Sequence, residues 1–325
     1  MWSVSMSKRV KSSIGFLYVL ILSILLVPSM AFPGDSIMEA LKKTPVRIDF
    51  NDVGEESGDE ADTPGKSAMK IAVAAMISPK FTYKYYVELL NLIGERMEKQ
   101  TVFVQKKTYA EVNALLKERK IDVAFVCSGP YVSGKREFGM EIIAVPVCHG
   151  KKVYYSYFIA SKKSGITTFD DFKNKVFAFT DPLSNTGCMV PTYYLARRHE
   201  MPETFFKKTF FSHSHDNSIL AVSEGLADGA SVDSLIYDFL SVKRPDLTIK
   251  TIVVERSDPY GIPPVVVHPD MDTKTKEKLK ELFLTIHRDP MGHACLENLQ
   301  IDRFEEGYDA DYDTVRALQI FLKKR

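Results

Sequence analysis

The chain's 325 residues are 45% hydrophobic and 26% charged, a globular composition with room for one large or two medium domains. A formal net charge of +1 supplies no field for a polyanion, which sets nucleic acid aside as a partner.

Lys8, Arg9 and Lys11 precede an apolar run from Ile14 to Val27, and small residues stand at Ser29 and Ala31. A basic start, a short apolar core and a small-x-small end read as a signal peptide over residues 1–31. The run is shorter than the roughly 18 apolar residues of a spanning helix, although an uncleaved anchor stays open. The mature chain is therefore expected in the periplasm. Cys127, Cys148, Cys188 and Cys295 could pair there in three ways. Cys127 and Cys148 both end strand-like runs, but burial as four small hydrophobes is the simpler expectation.

Residues 32–68 read as an acidic flexible linker, because "NDVGEESGDEADTPGKS" holds too little apolar surface to order itself. Strand–helix alternation then begins. "MKIAVAAM" from Met69 is a strand, and Tyr86, Leu89, Leu90, Ile93 and Met97 mark a helix face. Strands at 101–105 and 121–127 flank a helix from Tyr109 to Arg119. Gly129 and Pro130 open a short helix, and strands follow at 141–148 and 153–160. A second series places strands at 175–180, 208–212, 228–232 and 248–254, with helices from about 185, at 216–225 and at 234–242. "SDPYGIPP" (257–264) interrupts it, "VVVH" (265–268) is a strand, and helices at 273–288 and 311–324 close the chain. The alternation predicts an α/β fold of two lobes, each a mixed, mainly parallel sheet flanked by helices, with a hinged cleft between them. The expected division is 69–158 with 257–325 as lobe 1, and 159–256 as lobe 2.

Ligand sites in open α/β sheets lie beyond the carboxyl ends of strands. Ser184, Asn185, Thr186 and Gly187 lie where the strand 175–180 gives way to a helix. Small polar residues at a helix start let an anion approach free N–H groups, and Ser and Asn are also ordinary N-caps. Pro191 has no N–H for the Gly187 carbonyl, which predicts a first turn partly decoupled from its helix. Ser128 and Tyr131 follow the strand 121–127, and Tyr109 follows 101–105; each faces the cleft from lobe 1, or else lies at the core edge. His215 starts a helix and could donate to an anion. His213 and His215 have no companion cluster for a metal. Asp233 caps the next helix, accepts from a protonated oxyanion or pairs with a cation.

Together these residues resemble the phosphate/phosphite/phosphonate-binding proteins of ABC importers, a periplasmic binding protein family of type II topology. "DPLSNTGCMVP" is similar to the family's Asp-Pro-x-Ser-polar-Ser/Thr-Gly signature. "TYAEVNALLKERKIDVAFVCSGPYV" and "HDNSILAVSEGLADGASVDS" resemble its tyrosine-helix and histidine-helix blocks, in the same order. The resemblance implies that Ser184, Asn185, Thr186 and Gly187 hold oxyanion oxygens, that Tyr109 and His215 donate from either side, and that Ser128, Tyr131 and Asp233 line the site. It implies a small oxyanion ligand, an ABC permease in the membrane as partner, a monomer, no cofactor, no metal and no catalysis. Members that take aminoalkylphosphonates carry acidic residues where this chain has Leu235 and Ile262. That favours phosphate, phosphite or a simple phosphonate. Asn185 stands where a hydroxyl residue is more usual. Two alternatives remain: an enzyme on the same fold using Cys188 and His215, and a sensing module that signals to a membrane partner.

Overall fold

The computed structural model describes residues 47–49 and 68–324. The expected signal peptide and most of the expected linker lie outside the described residues. Within that linker, Arg47–Asp49 forms an edge strand, β1, parallel to the strand Gln100–Val104.

The first sheet is built from β2 (Ala68–Val73), β3 (Gln100–Val104), β4 (Val123–Phe125) and β5 (Glu141–Val147). Its helices are α1 (Pro79–Met97), α2 (Tyr109–Lys117) and α3 (Ser128–Phe138). β2 packs between β3 and β4 in parallel, with Leu89, Leu90 and Ile93 of α1 buried against it. The apolar run 153–160 is not one strand. Val153–Tyr154 (β6) ends at Tyr155, and Ser156–Ser161 (β7) continues into a different sheet. Residues 156–158, expected in the first lobe, already pair in the second.

That second sheet holds β7, β8 (Val176–Phe179), β9 (Lys208–Phe211), β10 (Gly229–Asp233) and β11 (Thr251–Arg256), in the order β11-β7-β10-β8-β9. Its helices are α4 (Val190–Ala196), α5 (Pro202–Phe205), α6 (His215–Ser223), α7 (Ser234–Lys243) and α8 (Pro245–Thr248). β8, β9 and β10 run parallel, and β7 and β11 antiparallel to their neighbours. Phe172, Phe177, Phe179 and Phe206 interlock beneath it, with Phe177 and Phe206 stacked at 4.3 Å.

The chain returns through β12 (Tyr260–Gly261), which pairs with β6 as a two-stranded bridge. β13 (Val265–Val267) then inserts antiparallel between β4 and β5. α9 (Thr273–Thr285), α10 (Pro290–Asn298), β14 (Arg303–Glu305) and α11 (Asp313–Lys323) complete the chain. α10 and β14 were not anticipated. The signal for α10 was Asp289 before Pro290, since Asp289 accepts from Met291 N and Gly292 N as an N-cap; β14 is too short for its period to show.

α11 bridges the halves. Phe321 meets Tyr193 of α4, and Gln319 Nε2 donates to Gly129 O of α3. All four cysteines are free, Cys127, Cys148 and Cys295 being buried, so the Cys127–Cys148 pairing does not form. Phe177→Ala should cost about 3–5 kcal/mol of stability in urea denaturation, because its fully buried ring leaves a cavity among three others.

Candidate functional site

The cleft lies where carboxyl ends of strands from both sheets meet. After β8 the chain turns at Asp181 and enters a π-helical turn, Asn185–Met189, that runs into α4. Pro191 explains this turn: it cannot donate to Gly187 O, which instead accepts from Thr180 N at 3.1 Å. Gly187 is needed there, since a Cβ would lie 2.4 Å from Thr180 Oγ1. Ser231 and Ser156 of the sheet below donate their hydroxyls to Thr186 O at 2.6 and 2.8 Å, fixing the turn from beneath.

Each side chain in the turn can be followed to its partner. Ser184 Oγ accepts from Gly187 N at 3.0 Å, so its own hydrogen points elsewhere. Asn185 Nδ2 donates to Tyr154 Oη at 3.2 Å, and Asn185 Oδ1 has no partner. Thr186 Oγ1 is buried without a partner too. The amides that open the turn have no intrahelical acceptor.

His215, wholly buried at the start of α6, is a neutral donor. Asp233 N donates to its Nδ1 at 3.0 Å, which places the ring hydrogen on Nε2, 3.5 Å from Ser184 Oγ. Burial pushes the imidazole down to about 3, so it stays uncharged at neutral pH. Asp233 caps α7 by accepting from Leu235 N at 2.8 Å through Oδ1, while Oδ2 is buried without a partner. Burial pushes this carboxyl up to about 7, against the pull of the Leu235 and Ile236 amides.

From the first sheet, Tyr109 brings a fully buried phenol to the cleft. Its oxygen has no hydrogen bond of good geometry, and burial raises the phenol well above its ordinary value. Ser128 reaches the region but donates its hydroxyl to Gly261 O of the bridge. Tyr131 does not join the others: its hydroxyl donates to Asp309 at 2.7 Å and its ring packs on Tyr312. The helix geometry of α3 turns residue 131 away from its own N-terminus. His213 lies half-buried at positive φ and donates its amide to Thr180 O, a structural position. Cys188 is not paired with His215, whose ring nitrogens face Thr180, Asp233 and Ser184; burial pushes the Cys188 thiol up to about 12. Among the described residues no group of His, Cys, Asp or Glu is arranged to hold a metal ion.

The halves also clasp directly. Asp181 accepts from Tyr109 N at 3.1 Å, Asp216 accepts from Ser78 N and Oγ, and His215 N donates to Met76 O at 3.0 Å. Gly129, at the start of α3, touches the opposite turn so closely that a Cβ would sit 2.2 Å from Leu183 O. The N-terminus of α3 therefore faces that of the π turn. The Cys127 thiol lies beside both, held neutral at about 11 by burial despite the nearby Asn185 and Gly129 amides. Tyr154 and Ser231 carry no local signal in the sequence, while Asp181 stands in the Asp-Pro signature. Asp216 reads in the sequence as a cap of its own helix, but Ser214 takes that place and Asp216 reaches Ser78 of the other lobe instead.

Two hinged α/β sheets with polar strand ends enclosed between them define a two-lobed solute-binding protein of the type II topology. A family model described as ABC transporter, phosphonate, periplasmic substrate-binding protein matches residues 71–312, and the chain belongs to that family. Relatives include the Escherichia coli phosphonates-binding periplasmic protein, 25% identical over 66% of this chain and 64% of its own length, so slightly less than two thirds of that relative is spanned. The Mycolicibacterium smegmatis phosphate-import protein PhnD is 25% identical over 71% of this chain and 78% of its own. Among solved structures, the binding component of an ABC phosphonate transporter from Pseudomonas aeruginosa superposes with a TM-score of 0.75 at 24% identity, over 79% of this chain and 87% of that one. PhnD1 from Prochlorococcus marinus in complex with methylphosphonate gives 0.73 at 17%, over 79% and 99%. At these identities the two structures speak for the fold.

Asp233 has a folded value above its unfolded one, so the unfolded chain loses that proton first and stability falls as pH rises from about 4 to 7. Asp233→Asn keeps the cap and removes the charge. In ligand-free calorimetry it should be more stable than the parent above pH 7, by up to about 4 kcal/mol at 1.36 kcal/mol per pH unit, with the difference fading below pH 4.

Proposed function

We propose that this protein captures a small phosphorus oxyanion (phosphate, phosphite or a simple phosphonate) in the cleft and offers the closed form to an ABC permease in the membrane. The observation that carries the reading is a cluster of buried polar atoms without protein partners. Tyr109 Oη comes from one lobe, and Asn185 Oδ1, Thr186 Oγ1 and Asp233 Oδ2 come from the other. Buried polar groups are almost always hydrogen-bonded, so four together mark a place built for something else to bond. The Ser184 hydroxyl and His215 Nε2–H add donors, and the two helix N-termini add a positive field without a charged side chain.

The arrangement supports binding without catalysis. His215 meets the Ser184 hydroxyl at 3.5 Å, but with Asp233 N on Nδ1 its hydrogen sits on Nε2, so it faces Ser184 as a donor and not as a base, and Cys188 is a protonated thiol turned elsewhere. Closure is the motion that the clasps across the cleft support. The lobes would part at Tyr155 and near Ser257, breaking the Asp181, Asp216 and His215 amide contacts together. The periplasm is the matching compartment, and no described helix is long and apolar enough to cross a membrane. With a small ligand enclosed, no second copy is needed to complete the site, which supports a monomer.

Titration calorimetry of the ligand-stripped protein with phosphate, phosphite, methylphosphonate and sulfate tests this reading. Micromolar or tighter binding of one phosphorus oxyanion is expected, and failure of them all would reject it. Ser184→Ala with Thr186→Ala should weaken that binding by several kcal/mol, at roughly 1.5–3 kcal/mol for each charge-assisted bond. Gly129→Ala should weaken it as well, because the added methyl would sit 2.2 Å from Leu183 O of the other lobe and hold the halves apart. Small-angle scattering with saturating ligand should then report a more open shape for that variant than for the parent.

A further inference from the structure

Beside the oxyanion donors lies an apolar cavity of about 80 Å³, several times the space that one water needs. Tyr86, Phe125, Leu235, Phe239 and Pro263 are among its walls, and Asp233 is the one charged residue on it. Both lobes build it: Phe125 ends β4, and Leu235 and Phe239 belong to α7.

The cavity borders the donors at each strand end. Asp233 belongs to both. Met76 lines the cavity and its carbonyl accepts from His215 N. Val126 lines it two residues before Ser128, and Pro263 follows the bridge whose Gly261 carbonyl takes the Ser128 hydroxyl. Leu235 packs with Ile262, Val145 and Cys148 in one apolar cluster next to it.

We propose that this cavity is a subsite for an apolar substituent on phosphorus, so that the protein takes short n-alkylphosphonates in preference to phosphate and to aminoalkylphosphonates. The inference rests on the oxyanion reading above and adds the class of substituent. An ammonium entering the cavity would lose its water against largely hydrocarbon walls, with the one unpartnered oxygen of Asp233, Oδ2, as the sole carboxylate acceptor on the wall to replace three bonds to water. A methylene loses nothing there. An alkyl chain placed there would take the apolar walls of Phe125, Leu235 and Phe239 out of contact with water. The site thus divides a ligand in two, with polar oxygens toward Ser184, Thr186 and Tyr109 and the carbon chain toward Phe125 and Phe239.

The test is calorimetric titration of the full ligand-stripped protein with phosphate and with methyl-, ethyl-, n-propyl-, n-butyl- and 2-aminoethylphosphonate. Affinity should rise about fourfold per methylene from methyl to propyl, the equivalent of about 0.8 kcal/mol. n-Propylphosphonate should bind more tightly than its near-isostere 2-aminoethylphosphonate. In Leu235→Trp, whose indole occupies the cavity, the propyl-to-methyl affinity ratio should fall toward one; the parent series decides the matter if that variant does not fold. Affinity that stays flat or falls beyond methyl, or tighter binding of the aminoethyl compound, would overturn the subsite while methylphosphonate or phosphate binding leaves the oxyanion reading in place. Absence of binding across the whole set would overturn both.

Discussion

Gly129 sets how closely the two halves can meet. With no Cβ, it lets α3 press its first turn against Leu183 and Asn185, so that two helix N-termini face each other across the cleft. Much of the site's chemistry follows from that approach. The facing N-termini supply a positive field, so no lysine or arginine is needed. The closeness excludes water, and the low-dielectric surroundings explain the direction of each shifted group. The imidazole and the thiols are kept uncharged, and the Asp233 carboxyl is raised.

On the proposed reading the donors form a neutral cage, which costs less to bury than a charged one. Several of these groups are held in place: Gly187 N on Ser184 Oγ turns that hydroxyl's hydrogen away from the turn, Asp233 N on His215 Nδ1 leaves the ring hydrogen on Nε2, and the serines of β7 and β10 hold the Thr186 carbonyl from beneath. The cage is therefore oriented before a ligand arrives, and little ordering remains to be done on binding. Asp233 departs from this neutrality. It anchors α7 and orients His215 through its backbone, and it leaves one acceptor oxygen inside a cage otherwise rich in donors.

Closure and recognition share residues. Asp181 follows the strand that leads into the π turn and also accepts from the first amide of α2, where Tyr109 presents its phenol. Asp216 follows His215 and caps α1 of the other lobe through Ser78. A movement that opens the cleft releases these contacts and the donor set together, which links ligand capture to the shape a transport partner would read.

Much of the arrangement was legible in the chain. The period of the apolar runs fixed the α/β class, because strand and helix periodicities are local properties. The signature at 181–191 located the decoupled turn, because Pro191 and Gly187 impose a backbone there that few other residues allow. What the sequence could not decide was which atoms meet. Tyr131 and Tyr109 occupy similar places after a strand, yet one turns to Asp309 and the other to the cleft, since that depends on helix rotation and on a partner 178 residues away. The strand expected over 153–160 changes sheets at Tyr155, a break set by pairing with β12 rather than by its own residues. The apolar cavity, the clasps of Asp181 and Asp216 and the unpartnered oxygen of Asp233 exist only once two distant halves are pressed together.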